Sequence, residues 1–139
     1  MTGTYVSVNG ALTSLAAFLA MDPAEVRMLS ISDCPQIKTL DLPLATMVCA
    51  IHCIRLTTLD APAATQIDVP GCIRLTTLDA PAAKWIDVSG CTSLTAFNAP
   101  NALRVYATDC TSLTTFHAPA ALRVGAAGCV SLTTLHASA

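Results

Sequence analysis

The sequence predicts a repeat solenoid: a parallel β-solenoid with two short strands per coil and a helical cap at its N-terminal end. Three observations carry this. Six of the seven cysteines (Cys34, Cys53, Cys72, Cys91, Cys110 and Cys129) recur every 19 residues, and a fixed internal period is the signature of stacked coils. The stretch CIRLTTLDAPAATQIDVPG from Cys53 is followed directly by CIRLTTLDAPAAKWIDVSG from Cys72, and the first twelve residues of the two copies are identical. Within each copy two alternating runs, of the kind IDV and LDA, are separated by Gly at one corner and Pro at the other. Alternation with period two between breakers means strands.

Composition fits that architecture. Of 139 residues 53% are hydrophobic and 12% charged, the latter about half the usual ~25%, as suits short coils whose inward positions are apolar. A net charge of −2 without a basic stripe argues against nucleic acid as a partner. The apolar run 11–21 lacks the basic start of a secretory signal, since residues 1–26 hold no Lys or Arg, and it is too short to span a membrane. An odd cysteine count at regular spacing does not suit a disulfide framework. Reduced thiols and a cytoplasmic location, or delivery into the cytosol of a host cell, are expected.

Residues 1–25 are expected to form the N-terminal helical cap. Leu12, Leu15, Ala16 and Leu19 share one helical face, with Asn9 placed to cap it. Asp22-Pro23-Ala24-Glu25 reads as a second helix start, with a capping Asp and Pro at the first position.

Residues 26–139 are expected to form about six coils, the last incomplete. Leu29, Val48, Ile67, Ile86, Val105 and Val124 form the first inward column, and the second starts two residues later with Ile31. Then come the cysteines, a column from Ile37 to Leu132, a column from Leu40 to Leu135 through Phe97 and Phe116, and a small column from Leu42 to Ala137 with a proline beside it in the first five coils. One repeat has no room for a return helix, and its proline lacks an N–H for a continuous ladder, so the return side is extended or turn-like.

The string Val26-x-x-Leu29-x-Ile31-x-x-Cys34 and its periodic successors fit the template LxxLxLxxN/C, and the runs GCTSLTAFNAP and DCTSLTTFHAP repeat one motif. In these residues the chain resembles leucine-rich repeats of the short bacterial kind, from surface antigens and from effectors that recruit host proteins. The resemblance runs from Val26 to the end. It implies a leucine-rich-repeat-like solenoid whose sheet surface recognises protein. No cofactor is expected. In that template the cysteine position bonds neighbouring backbone in the corner.

Four outward features are candidates for chemistry. Cys49 lies outside the ladder, next to inward Val48, and so is the reactive-thiol candidate, with His52 three residues on. The column Asp41, Asp60, Asp79, Asn98, His117, His136 stands beside the row Thr39, Thr58, Thr77, Ala96, Thr115, Thr134. It offers a cation site at its Asp end or a transition-metal site at His117 and His136. The Thr row also invites an ice-binding reading, but Asp and His interrupt the face on every coil. On the first strands one outward column runs Met28, Met47, Gln66, Trp85, Arg104, Arg123 and its neighbour Ser30, Cys49, Asp68, Asp87, Tyr106, Gly125. Trp, Tyr and Arg dominate interface energetics, so Trp85, Asp87, Arg104, Tyr106 and Arg123 are the expected partner-binding residues.

The functional expectation is a non-enzymatic module that binds an unknown protein on the first-strand face. The alternatives are a structural or self-associating solenoid unit and a part of a larger delivered effector. The final strand lacks a capping repeat, so a homodimer through residues 122–139 is expected, because an open strand edge is a template for pairing.

Overall fold

In the computed structural model, which describes residues 5–137, the repeat region is a parallel β-solenoid of about six coils with two strands each. Residues 1–4 of the expected cap and residues 138–139 of the expected C-terminal edge lie outside that range. The first strands are β3 (Met28–Ser32), β5 (Met47–Ile51), β7 (Gln66–Asp68), β9 (Trp85–Asp87), β11 (Arg104–Tyr106) and β13 (Arg123–Gly125). The second strands are β4 (Thr39–Asp41), β6 (Thr58–Asp60), β8 (Thr77–Asp79), β10 (Ala96–Asn98), β12 (Thr115–Ala118) and β14 (Thr134–Ala137). Each strand pairs in parallel with the strand one repeat away and in exact 19-residue register, as Arg104 with Trp85 and with Arg123.

Two corners close each coil, and the sequence explains both. At the first, the residue before the cysteine has positive φ in all six coils: Asp33, His52, Gly71, Gly90, Asp109 and Gly128. Glycine supplies that conformation without steric cost; His and Asp adopt it here under the constraint of the stack. The corner N–H still joins the ladder, as when His52 N donates to Pro70 O at 2.9 Å and Gly90 N to Thr108 O at 2.8 Å. The second corner is a four-residue turn such as Ala61–Ala64, closed by Ala64 N donating to Ala61 O at 3.1 Å. Pro62 occupies its second position, where the fixed φ of proline fits and no N–H is needed. That corner buries a further column, Ala45, Ala64, Ala83, Ala102 and Ala121, which the template reading had not included.

The expected columns point inward. From Leu29 through Phe116 they are buried, and Phe97 and Phe116 stack face to face with centroids 5.1 Å apart. The last coil departs from the rule. Val124, Ala126, Cys129 and Leu132 are only partly buried and Leu135 is exposed, because among the described residues no further coil packs on that side.

The cap contains the expected helix in shortened form and adds strands to it. Asn9 and Gly10, both at positive φ, make the two-residue turn between β1 (Tyr5–Val8) and β2 (Ala11–Leu12). This is the Asn-Gly hairpin geometry. The hairpin extends the first sheet, with β1 antiparallel to β3. Asn9 therefore caps no helix. Its Oδ1 accepts from the backbone of Arg27 and Met28, and its Nδ2 donates to Glu25 O at 2.9 Å. Helix α1 is Leu15–Leu19, capped by Ser14, whose Oγ accepts from Ala17 N at 3.1 Å. Asp22 caps a 3-10 turn, Pro23–Glu25, with Pro at its start, as the sequence indicated.

Candidate functional site

The first-strand sheet presents a flat outward face, because residues on either side of each inward Ile or Val must point out. Trp85 and Tyr106 meet there, half-buried, with ring centroids 6.0 Å apart and planes tilted by 55°. They lie diagonally: Trp85 is in register with Arg104, and Tyr106 with Asp87 and Gly125. Gly125 leaves room for the Tyr106 ring, whose Cδ1 would lie 3.3 Å from a β-carbon there, closer than ordinary van der Waals contact. Arg104 and Arg123 are exposed on neighbouring rungs, and among the described residues neither forms an ion pair. Asp87 accepts from Ser89 N at 2.9 Å. Burial and then the charge of Asp87 push the Asp68 carboxyl above its ordinary value. Five expected partner-binding residues thus share one surface: two aromatic rings, two unpaired guanidiniums and one carboxylate.

Cys49 stands on the same face, half-buried between the rungs of Ser30 and Asp68, with Sγ 3.8 Å from Asp68 Oδ2. Burial first, and the Asp68 charge second, raise its thiol above the ordinary value. Reactivity follows the thiolate, so Cys49 has access but no activation. His52 lies apart, exposed, with Nδ1 3.9 Å from Asp33 Oδ1.

The ladder cysteines serve the stack. All are free, and Cys34, Cys53, Cys72, Cys91 and Cys110 are buried. From the third coil on, each thiol donates to a carbonyl of the preceding coil: Cys72 to Ala50 O at 3.0 Å, Cys91 to Val69 O at 3.2 Å, Cys110 to Val88 O at 3.1 Å and Cys129 to Ala107 O at 2.8 Å. Burial pushes the thiols of Cys53 and Cys110 up to about 11 and that of Cys72 up to about 12. Cys129, on the open last coil, is partly exposed and not protected like the others.

On the opposite sheet the Asp–Asn–His column stands outward as expected. Its acidic end does not converge: no group of three or more His, Cys, Asp or Glu side chains gathers around one point among the described residues. Slight burial, then Asp79 and Asp41, raise the Asp60 carboxyl. His117 and His136 are in register on β12 and β14, with ring centroids 5.5 Å apart and planes tilted by 58°. They flank a shallow depression of about 530 Å³ whose lining includes Asn98, Thr115 and Thr134. A second, apolar groove of about 440 Å³ lies between the cap and β4, lined by Phe18, Met21, Val26 and Leu40 among others. The sequence reading missed this groove, because it depends on how α1 lies against the first coil.

Six threonines that stand just before a strand have a structural task. Thr46, Thr65, Thr57, Thr76, Thr114 and Thr133 each donate Oγ1–H to a carbonyl 19 residues earlier, at 3.1–3.3 Å. No helix among the described residues is long and apolar enough to cross a membrane. No family model matches the chain, and neither a curated protein nor a solved structure matches it.

Proposed function

We propose that this solenoid is a non-enzymatic, leucine-rich-repeat-type recognition module that binds a protein across the outward face of its first strands. The observation that carries the reading is the pairing of Trp85 with Tyr106 beside Arg104 and Arg123, which have no acidic partner among the described residues. Aromatic rings next to guanidiniums are the groups that carry most of the energy at protein interfaces. Two adjacent unpaired cations favour a partner that brings carboxylates, while the half-buried rings offer apolar contact at the centre. Asp87 and Asp68 border the patch and set the orientation of a docked chain through opposite charge. The free thiols support a reducing compartment, the cytosol of the source cell or of a host cell into which a larger effector is delivered.

The test is proximity cross-linking from position Gln66, beside the patch, in cells that produce the protein. A partner recovered with the wild type and lost with W85A and R104A, at unchanged melting temperature, supports the module. Equal recovery with all three chains sinks it.

A second reading, self-association, is favoured by the exposed apolar side chains of the last coil, Leu122, Val130 and Leu135, next to the edge strands β13 and β14. A second copy related by a two-fold axis covers such an edge symmetrically. Light scattering over a wide concentration range decides it: association lost with L135D supports the dimer, and a strict monomer refutes it.

A further inference from the structure

We infer that His117 and His136 form a two-imidazole site for a borderline divalent transition ion such as Zn²⁺, on the sheet opposite the Trp85–Tyr106 face. The two residues occupy the same position of adjacent rungs and are paired in register, so the backbone fixes their Cα atoms one strand spacing apart and aims both side chains outward. Their rings are neither stacked nor remote. Centroids at 5.5 Å with planes tilted by 58° let one nitrogen of each ring be directed to a common point. A parallel stacked pair, like Phe97 and Phe116 at 5.1 Å and 4°, cannot converge in that way.

The surroundings suit a cation held by nitrogen. Neither imidazole has a salt-bridge partner among the described residues, whereas His52 already faces Asp33. The flanking side chains are Thr115, Thr134 and, one rung away, Asn98: neutral oxygen donors, with the shallow depression leaving space for water on the remaining coordination positions. Imidazole suits Zn²⁺, Cu²⁺ and Ni²⁺ rather than Mg²⁺ or Ca²⁺. Two protein ligands leave the ion open on its outer side.

The site also joins two coils. An ion bound to both rings links β12 to β14, the least buried strand of its sheet, and so stabilises the end of the stack by mass action.

The experiment uses the full chain and Zn²⁺ alone, followed by NMR of the histidine ring protons and by thermal melting. The expected result is that the His117 and His136 signals move together and saturate at one equivalent, while His52 stays in place. H117A and H136A are each expected to weaken binding by about tenfold or more, since chelation gives the second ligand a high effective concentration. H52A and C49S are expected to leave binding unchanged, and Zn²⁺ is expected to raise the melting temperature of the wild type but not of H136A. Both positions are exposed, and circular dichroism of the variants verifies their fold. The inference is overturned if one imidazole responds alone, if His52 responds at the same concentration, if C49S abolishes binding, or if H136A binds as tightly as the wild type.

Discussion

The coil that starts at Cys91 and the coil that starts at Cys129 are built from the same template, yet they live in different solvents. Cys91 and Leu94 are wholly buried, whereas Cys129 and Leu132 are partly exposed; Phe97 is 7% exposed and Leu135, at the same position, is 44%. Residue type does not explain this, because Leu94 and Leu132 are the same residue at the same position. What differs is the number of coils packed on either side among the described residues. In a solenoid the apolar stabilisation belongs to the interface between coils rather than to the coil, so an interior coil counts two interfaces and an end coil one.

The largest test of this contrast is alkaline pH. The buried thiols titrate above their ordinary value near 9 in the folded chain, Cys53 and Cys110 at about 11 and Cys72 at about 12. The folded state therefore holds protons that the unfolded state releases. The sign follows: these groups contribute full stability below pH 9 and lose it as pH rises from 9 toward 12. Denaturant midpoints are expected to be level up to pH 8.5 and to fall steeply by pH 10.5. A C72A/C91A variant is expected to flatten that fall.

Next in size are the leucines. Leu94→Ala is expected to cost about 2–5 kcal/mol, as for other fully buried leucines, and Leu132→Ala less than half of that. Equal costs by urea denaturation break the comparison. Smaller again is the corner glycine, where the two coils are expected to agree. Gly90 and Gly128 both have positive φ, and a β-carbon in that conformation costs about 1–2 kcal/mol wherever the coil stands. Gly128→Ala is expected to cost at least as much as Gly90→Ala, because the new carbon also meets the Asp109 carboxylate. The last test perturbs nothing: a thiol reagent at pH 7.5 is expected to modify Cys129 and Cys49 first, with the five buried cysteines protected until the chain opens. Mass mapping of early adducts on Cys72 or Cys91 contradicts the burial assigned here.

Much of the fold was legible because the 19-residue period and the alternation within it act on every coil at once. The inward columns from Leu29 to Phe116, the cysteine ladder and the two strands per coil all follow from that. The cap was less legible. Leu15 and Leu19 do lie in α1, but Leu12 falls in β2 and Phe18 rather than the leucine stripe is buried, because the two-residue Asn9-Gly10 turn signal outweighs the helical one locally. The corner was half legible: Gly71, Gly90 and Gly128 mark the left-handed position openly, whereas Asp33, His52 and Asp109, of types that enter it more readily than other non-glycine residues, are recognisable there only through the period. At the candidate site the columns of Trp85, Arg104, Arg123 and Tyr106 were readable from the period. The tilt of the rings and the lack of acids beside the arginines required the three-dimensional arrangement.

The stacking of the two near-identical copies also bears on how the chain finds its fold. Residues 53–64 repeat as 72–83, and the three later differences, Thr65 against Lys84, Gln66 against Trp85 and Pro70 against Ser89, all lie outside the core. The interior of one copy is thus interchangeable with that of the other. A nascent chain that seats Leu75 and Leu78 where Leu56 and Leu59 belong makes the same apolar contacts and extrudes a whole repeat as a loop, whose closure entropy grows only slowly with length. Such a slipped chain is a kinetic trap of the kind repeat proteins are prone to. The flanks of the two copies do differ: Leu42 precedes the Ala61–Ala80 pair on one side, and the Phe97–Phe116 stack follows it on the other, so a slipped chain mismatches at its ends rather than in its middle.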